Sequence, residues 1–464
     1  MAQASILREG ATQTSVVGSV SVDGVRAGTK VLAFAWFLLV FFGAMPFGFL
    51  DLGWIIHGAE SAAGVSLLSG VLGNVASVAS VRYLAFGIAF AIGLWGTRWR
   101  SQSWPTVHVV LLTYSLWAAA SVLWSVSPVL GAVKALSLMG CVLVAAALAD
   151  RPGGLACLVQ VTLTAVIAVM ATAVIVAIAV PEYGLDPYGD WYPRLGGQLI
   201  HPNELAECVG LLLILVLGWP VGWKARTRWG LAAASVAVIA ATQSRTTMLA
   251  LVVVGAVGFI TRIHPVIRAL SIGLGALAIL VLGVSDLDMQ GMLGYLGRGS
   301  AEDIGDTIAQ RVELWEYGLQ QSLGSLLIGQ GFAVGSRIVL GPAFWWRPVH
   351  AHNLALEILL NLGLVGALIA GVTIILAVRS MLRLTRLDGD WGRRGAVGLT
   401  LLAFVGALGV TERSFGGELS SAVIGFILAV VIAGKGSDGV PAADDPRPAQ
   451  AGVVPSHPVG TAPA

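Results

Sequence analysis

The stretch GLACLVQVTLTAVIAVMATAVIVAIAV, residues 154–180, contains no charged side chain. At 1.5 Å per residue a helix of this length is about 40 Å long, which exceeds the ~30 Å hydrocarbon core of a bilayer. Similar uncharged runs recur from Val31 to Ala433, and 56% of the chain is hydrophobic and only 11% charged. This composition excludes a water-soluble fold and intrinsic disorder. It predicts an all-α, polytopic integral membrane protein.

Twelve apolar runs are candidate transmembrane helices. Their predicted ranges are 31–50, 83–97, 107–124, 128–149, 154–180, 203–222, 230–244, 246–261, 266–285, 353–378, 396–411 and 419–434. The first run lacks a small-residue cleavage site, so it is expected to stay as an anchor. The transmembrane domain is therefore predicted over 31–434, after a polar cytoplasmic segment at 1–30 and before a disordered cytoplasmic tail at 435–464.

The orientation follows from the basic residues, because cytoplasmic loops of membrane proteins carry an excess of Lys and Arg. With the N-terminus inside, 18 of the 27 Lys and Arg fall in cytoplasmic segments and 8 in external ones. The remaining one, Lys134, lies within a span. The count predicts that both termini are cytoplasmic.

Three long connections are predicted on the external side. The first, 51–82, consists mostly of small residues, whereas 181–202 is rich in Tyr, Trp, Asp, Pro and Gly. The largest, 286–352, contains a predicted amphipathic helix that Asp306 or Thr307 can cap and that suits a position on the membrane or over a cavity. Its apolar residues recur at helical spacing: Ile308, Val312, Trp315 and Leu319.

The external side also collects the reactive side chains. Guanidinium groups bind phosphate oxygens bidentately and stay charged; the candidates are Arg194, Arg245, Arg311 and Arg413. A histidine can remove a proton near neutral pH; the candidates are His350 and His352, with Glu357 in the following span to orient His352 or pair with an Arg. Contacts with a sugar or acceptor are predicted for Trp315, Trp191, Asn353 and His201. This set favours a reaction on a sugar linked to a lipid pyrophosphate.

Structural interpretations compete with these assignments. Arg245 could be an interfacial anchor, Asn353 a helix cap, and the Trp residues part of an aromatic belt. His201, Glu204 and Glu207 share a helical face, but their position favours the start of a helix over a metal site. The sequence has no Asp-rich motif, so neither a metal nor another cofactor is expected.

Six sequence segments resemble the bacterial O-antigen ligase and polymerase superfamily, in the family order. They are LWSVSP at 123–128, RLGGQLIHPNELA at 194–206, TQSRTTMLAL at 242–251, GRGSAEDIGDTIAQRVELW at 297–315, IGQGF at 328–332 and HAHNLALEILLNLGLVG at 350–366. Together they span more than half of the chain. Asn361 stands where family members often have Glu.

The resemblance implies a glycosyltransferase of surface polysaccharide assembly in the bacterial inner membrane, with an extracytoplasmic active site. Its substrate would be an oligosaccharide on undecaprenyl pyrophosphate within the membrane lipid. The glycan would move to an acceptor hydroxyl with inversion and without a metal. His352 matches the family's base, with His350 as an alternative, and Arg194, Arg245 and Arg311 match its phosphate-binding positions. Polysaccharide export or chain-length proteins are candidate partners, and nucleic acid is not.

Polymerase and ligase are both open from the sequence, because the same groups serve either reaction. Resemblance of LWSVSP and of TERSFGGELS at 411–420 to exopolysaccharide polymerases favours the polymerase over an O-antigen ligase acting on lipid A core. An alternative of another class is a flippase for lipid-linked oligosaccharides, for which Lys134 would be the deep charge. A non-enzymatic scaffold of an export complex is a further alternative.

Overall fold

The computed structural model describes residues 27–45, 65–98, 104–187, 193–197, 199–219, 222–260, 301–344, 348–410, 412 and 414–439. Within these ranges, side chains are described except at 65–80, 257–260, 301–309, 414 and 437–439. Helices make up nearly all of this part of the chain. One short antiparallel pair, β1 (Leu185–Asp186) with β2 (Arg194–Leu195), interrupts them and aligns Asp186 with Arg194.

The described residues form fourteen α-helices, which are numbered in chain order. They are α1 (Ala27–Ala44), α2 (Val65–Thr97), α3 (Thr106–Ala120), α4 (Pro128–Ala149), α5 (Gly154–Ala179), α6 (Pro181–Gly184), α7 (Pro202–Gly218), α8 (Ala225–Thr242), α9 (Arg245–Ile260), α10 (Ala301–Leu323), α11 (Gly335–Leu340), α12 (Leu354–Leu384), α13 (Asp390–Gly409) and α14 (Ser421–Gly439). Single 3₁₀ turns lie at Ser121–Trp124, Gly341–Ala343 and Ser414–Gly416.

Helices occupy eleven of the twelve predicted spans, and the remaining one, 266–285, lies outside the described residues. Five are long and apolar enough to cross a bilayer: α1, α3 with its 3₁₀ turn, α4, α5 and α12. Shorter apolar segments lie in α2, α9 and α14. The protein is therefore an all-α membrane protein, and the number of twelve spans stays a prediction.

Two predicted boundaries differ from the structure. Residues 65–82, predicted as part of an external loop, form the first half of α2, because small residues without Pro are compatible with a helix. Arg82 is consequently helical and buried. At the other end, α14 continues to Gly439, beyond the predicted start of the tail at 435; residues 440–464 lie outside the described part.

The centre of the molecule is formed by α4 and α14. Every residue from Ser137 to Ala149 of α4 and from Ala422 to Ala433 of α14 is buried. A helix that is apolar on all sides can face either lipid or protein; α14 is enclosed by protein, since it packs against α3, α4, α12 and α13. Glu412 and residues 415–420, which precede α14, are buried as well.

Helix α12 is broken at Gly363, whose φ of 65° and ψ of −165° are not helical. The break is filled by the segment 326–331, which includes most of the IGQGF motif. The backbone N–H groups of Gln330 and Gly331 donate to the carbonyls of Leu360 and Asn361, at 2.9 and 3.0 Å. In return Leu364 and Val365 donate to Leu326 and Leu327, and Trp117 Nε1 donates to the Leu362 carbonyl. Backbone groups freed by the break are thus satisfied.

Candidate active site

The turn His350–Asn353 precedes α12 and is held by the first residues of that helix. Asn353 caps the helix, since its Oδ1 accepts from the Leu356 N–H at 3.1 Å. Glu357 Oε2 accepts from the Ala351 N–H at 2.7 Å. His352 has a φ of +48°, a conformation that costs energy for a side chain with a Cβ. The cap and the carboxylate together fix the turn in this shape.

Glu357 is buried and connects three segments. Its Oε1 accepts from Ser336 Oγ at 2.6 Å and from Asn361 Nδ2 at 3.0 Å. Asn361 also donates to the Gly416 carbonyl and accepts from the Ser336 N–H. The predicted role of Glu357 was to orient His352 or to pair with an Arg. Its Oε2 instead holds the backbone N–H of Ala351, the residue before His352.

His352 faces a carboxylate that lies 60 residues later in the chain. Its Nδ1 lies 3.5 Å from Oε2 of Glu412, which is 8% exposed and sits in the turn between α13 and α14. The His350 ring lies beside the His352 ring at a tilt of 54°, with centroids 4.0 Å apart, and His350 Nδ1 accepts from the His352 N–H at 3.4 Å. A histidine oriented by a buried carboxylate is a recurrent arrangement for proton abstraction.

The pKa of Glu412 is lowered from its usual value. Burial alone would raise the pKa, because it disfavours the charged carboxylate. The His352 ring, whose Nδ1 is 3.5 Å away, and the nearby Arg311 and His201 favour the charged carboxylate and outweigh that effect. Glu412 is therefore an anion at neutral pH, surrounded by three residues that the sequence had assigned to the site.

A hydrogen-bonded chain joins Glu412 to the HPNE segment. Asn203 Nδ2 donates to Glu412 Oε1 at 3.3 Å, and Asn203 Oδ1 accepts from Arg194 Nη2 at 2.9 Å. Arg194 Nε donates to the Thr242 carbonyl at 2.8 Å, and its Nη1 lies 3.6 Å from Asp186. Described residues of the 194–206, 242–251 and 350–366 segments therefore come together around Arg194 and Glu412.

Arg194 differs from the other candidate cations in its surroundings. It is 2% exposed, and its guanidinium donates hydrogen bonds to Thr242 and Asn203 and forms an ion pair with Asp186. Arg245 begins α9 and is half-buried, directly after the TQS turn that Arg194 holds. Arg311 is half-buried on α10 and acts electrostatically on Glu412. Arg245 and Arg311 are thus the two less enclosed cations at the site.

The predicted amphipathic helix is present as α10, but it begins at Ala301 and turns a different face inward. Leu314 is fully buried against Leu340, Ala351, Leu356 and Leu360. Trp315 Nε1 donates to the Ala351 carbonyl at 3.0 Å, so this ring braces the histidine turn. Val312 and Leu319, predicted on the apolar face, are 42% and 53% exposed. The reason is that Gly318 lets the helix approach α11 and α12 closely on its Leu314 side.

The remaining predicted residues fall into two groups. His201 is exposed and caps α7, accepting from the Asn203 N–H at 3.2 Å; with Pro202 as the first helical residue, this confirms the helix-start interpretation of that segment. Arg413 and Trp191 lie outside the described residues. Their predicted roles in phosphate and sugar binding stay predictions.

Sequence reasoning missed Glu412, Asn203 as a partner of Glu412, and Asn361. Glu412 is the residue before the candidate Arg413, in a turn predicted to be external. An acidic residue in that turn could have been paired with the histidines on topology alone. Asn361 gave no such signal, because a buried amide in a helix has no recognisable spacing.

Three ligand-type atoms lie close together at the site. One from each of His350, His352 and Glu412 falls within 4.8 Å of the others, and this is the one such group among the described residues. Neutral imidazoles and a carboxylate suit a divalent transition metal. The same atoms also form the histidine–carboxylate contact described above, which needs no ion.

A second polar cluster borders His350. A small cavity there is lined by Ala333, Arg337, Val349, His350, Glu357 and Glu418. Glu418 is buried and pairs with Lys134 of α4, the deep charge noted in the sequence. Nζ of Lys134 also lies 5.9 Å from the centre of the Tyr83 ring.

A protein-family model described as O-antigen ligase matches residues 229–371. No curated protein matches the chain. The matched region runs from α8 into α12 and includes Arg245, Arg311, His350, His352 and Glu357, while Arg194 and Glu412 lie outside it. Members of this family are O-antigen ligases or polymerases, which are enzymes of polysaccharide biosynthesis. The match over 229–371 supports the resemblance of this chain to the bacterial O-antigen ligase and polymerase superfamily.

Proposed function

We propose that the protein transfers a glycan from undecaprenyl pyrophosphate to an acceptor sugar hydroxyl, with inversion and without a metal, at the extracytoplasmic side of the inner membrane. The observation that carries the proposal is the contact between His352 and the buried Glu412 carboxylate, 3.5 Å apart, beside the cation Arg311. The contact supports the proposal because the reaction needs a base, an anion that orients it and a phosphate-binding group close together.

His352 is the base in this proposal, and Glu412 is its positioning residue. In this proposal Nδ1–H donates a hydrogen bond to Glu412, which fixes the ring and leaves Nε2 as the atom that takes the proton from the acceptor hydroxyl. The acceptor oxygen then attacks the anomeric carbon, and the bond from that carbon to the pyrophosphate oxygen breaks. His350 supports the His352 ring and is the alternative base.

Arg245 and Arg311 bind the leaving pyrophosphate. Each guanidinium stays charged and can form two parallel hydrogen bonds to phosphate oxygens. These bonds strengthen as negative charge develops on the leaving group, which lowers the barrier more than it tightens substrate binding. Arg194 acts differently: it holds the Thr242 carbonyl and Asn203, so it positions Arg245 and Glu412.

The test is a transfer assay with purified protein in proteoliposomes and a lipid-linked oligosaccharide. His352→Ala and Arg245→Ala are each expected to reduce transfer by about 10²-fold or more, in line with the contribution of a general base or a charge-stabilising group. His350→Ala is expected to retain more activity than His352→Ala. Unchanged transfer by both His352→Ala and Arg245→Ala in folded protein would refute the proposal.

Two further arms of the same assay address the metal and the acceptor. Treatment with EDTA is expected to leave the rate unchanged, and loss of activity that Zn²⁺ restores would instead assign the His350, His352 and Glu412 group to a metal. With lipid-linked repeat units as the sole substrate, a polymerase produces a ladder of lengthening chains. A ligase gives no ladder and requires a separate acceptor. We propose the polymerase.

A further inference from the structure

Asn361 of α12 is a buried amide that joins three segments of the chain. It is 0% exposed, and its Oδ1 accepts from the Ser336 N–H at 2.9 Å. Its Nδ2 donates to Glu357 Oε1 at 3.0 Å and to the Gly416 carbonyl at 3.1 Å. The side chain thus offers one acceptor to an N–H and two donors to two oxygens, which is the pattern that a side-chain amide provides. These bonds hold Asn361 in one orientation.

On one side this network reaches the histidine turn. Glu357 Oε2 accepts from the Ala351 N–H at 2.7 Å, and the Ala351 carbonyl accepts from Trp315 Nε1 at 3.0 Å. Both backbone polar groups of Ala351 are therefore held. The positive φ of the next residue, His352, costs energy. The position of the His352 ring consequently depends on the bonds that hold the residue before it.

On the other side the network reaches the turn that carries Glu412. Gly416 lies four residues after Glu412, and a Cβ built on Gly416 would meet Cβ and Cγ of Glu357 at 3.1 Å. Next to it, the Phe415 ring stacks on Phe426 of α14 with centroids 3.9 Å apart. The backbone at Gly416 is thus packed between α12 and α14. The network therefore links the segment that carries the proposed base to the segment that carries its carboxylate.

We propose that Asn361 is a positioning residue, which sets the distance between His352 and Glu412. A displacement of about 1 Å in an active site can lower a rate by about 10²-fold, so this distance controls how well the base works. An ionised Asp at position 361 could not donate to Glu357 and would place a second negative charge beside it. A neutral amide is therefore the group that this position needs. The inference rests on the proposed function and deepens it.

The kinetic test is a double-mutant cycle in the transfer assay. Asn361→Asp is expected to lower kcat by about tenfold or more and to leave the KM for the donor lipid unchanged. In the Glu412→Gln background the same substitution is expected to change kcat by about twofold or less, because the contact that it disturbs is already lost. A merely structural role would lower kcat by the same factor in both backgrounds. Equal factors would overturn the positioning role.

A second readout does not depend on transfer. Solid-state NMR of protein with isotope-labelled histidine in lipid bilayers reports the environment of His352 Nδ1. Its signal is assigned by its absence from His352→Ala. Asn361→Asp is expected to move this signal in the same direction as Glu412→Gln does. A signal that stays at the wild-type position in Asn361→Asp would refute the proposal.

The matched control is Thr373→Val. Thr373 is also fully buried on α12, but its Oγ1 donates within the helix to the Ile369 carbonyl, so this variant should match wild type in both readouts. Melting temperature identifies variants that fail to fold. If Asn361→Asp is one of them, Asn361→Ser, which keeps one donor, replaces it and is expected to show a smaller change in the same direction.

The two readouts separate this inference from the proposed function. An unmoved NMR signal together with transfer that depends on His352 would refute the positioning role alone. A moved signal in a protein whose transfer does not depend on His352 would refute the proposed function alone.

Discussion

At the scale of single residues, Glu412 is the group that connects the other residues of the candidate site. It contacts the side chains of His352 and Asn203 and experiences the charges of Arg311 and His201. Arg194, by contrast, matches a phosphate-binding position of the family, but its guanidinium donates hydrogen bonds to the Thr242 carbonyl and to Asn203. A residue's type and motif predicted that it belongs to the site. Its hydrogen bonds indicate which task it performs there.

Replacing the carboxylate of Glu412 tests its positioning role. Glu412→Gln is expected to lower kcat by about 10²-fold, because a neutral amide neither fixes the His352 tautomer nor stabilises the imidazolium that forms. The KM for the donor lipid is expected to change little. Glu182→Gln, which neutralises an exposed carboxylate at the start of α6, is the control and should behave like wild type. A kcat equal to that of wild type would remove Glu412 from the mechanism.

The lowered pKa of Glu412 also predicts how stability depends on pH. Because the carboxyl releases its proton more readily in the folded protein than in the unfolded chain, it contributes stability above its ordinary pKa of 4.5. That contribution is lost as the pH falls through the lowered folded-state value. The melting temperature of wild type should therefore exceed that of Glu412→Gln at pH 5 and converge with it as the pH falls below 4.5. Equal melting temperatures of the two proteins at pH 5 would contradict the assignment.

At the scale of secondary-structure elements, the break in α12 is the feature on which the site depends. The short first part of the helix carries Glu357 and Asn361, and the second part runs on to Leu384. The segment 326–331 fills the break with backbone hydrogen bonds. Continuous hydrophobicity predicted one span here, and it contains no Pro to mark a kink. Only the conformation of Gly363 distinguishes this element from a straight helix.

The break can be tested with two glycines of the same helix. A Cβ at Gly363 would collide with the backbone of Leu327 and Ile328, at a positive φ. Gly371 has no neighbouring atom within 4 Å of a Cβ. Gly363→Ala is expected to lower the melting temperature strongly or prevent folding, at a cost of several kcal/mol. Gly371→Ala should be neutral or slightly stabilising, by up to about 1 kcal/mol. Equal melting temperatures for the two variants would show that the break is unimportant.

At the scale of the whole molecule, the proposal requires the histidine turn to face outward. Cysteines introduced at Ala343, before that turn, and at Asp388, in the connection between α12 and α13, lie at exposed positions. Cys157, the one partly exposed native cysteine, is first replaced by Ala. A membrane-impermeant maleimide should label Ala343→Cys in cells with a permeabilised outer membrane. It should label Asp388→Cys only after the inner membrane is also disrupted. The reverse pattern would invert the topology.

The sequence by itself determined the membrane class, the positions of most helices and the set of reactive residues. Hydrophobic length and the distribution of charge are local properties, and the bilayer converts them directly into helices and orientation. Only the tertiary structure decided that Glu412 and Asn203 meet, that Arg194 is enclosed and that α12 is broken. Those outcomes depend on how helices far apart in the chain pack and on which backbone groups lose their partners, and neither is encoded by any single stretch of residues.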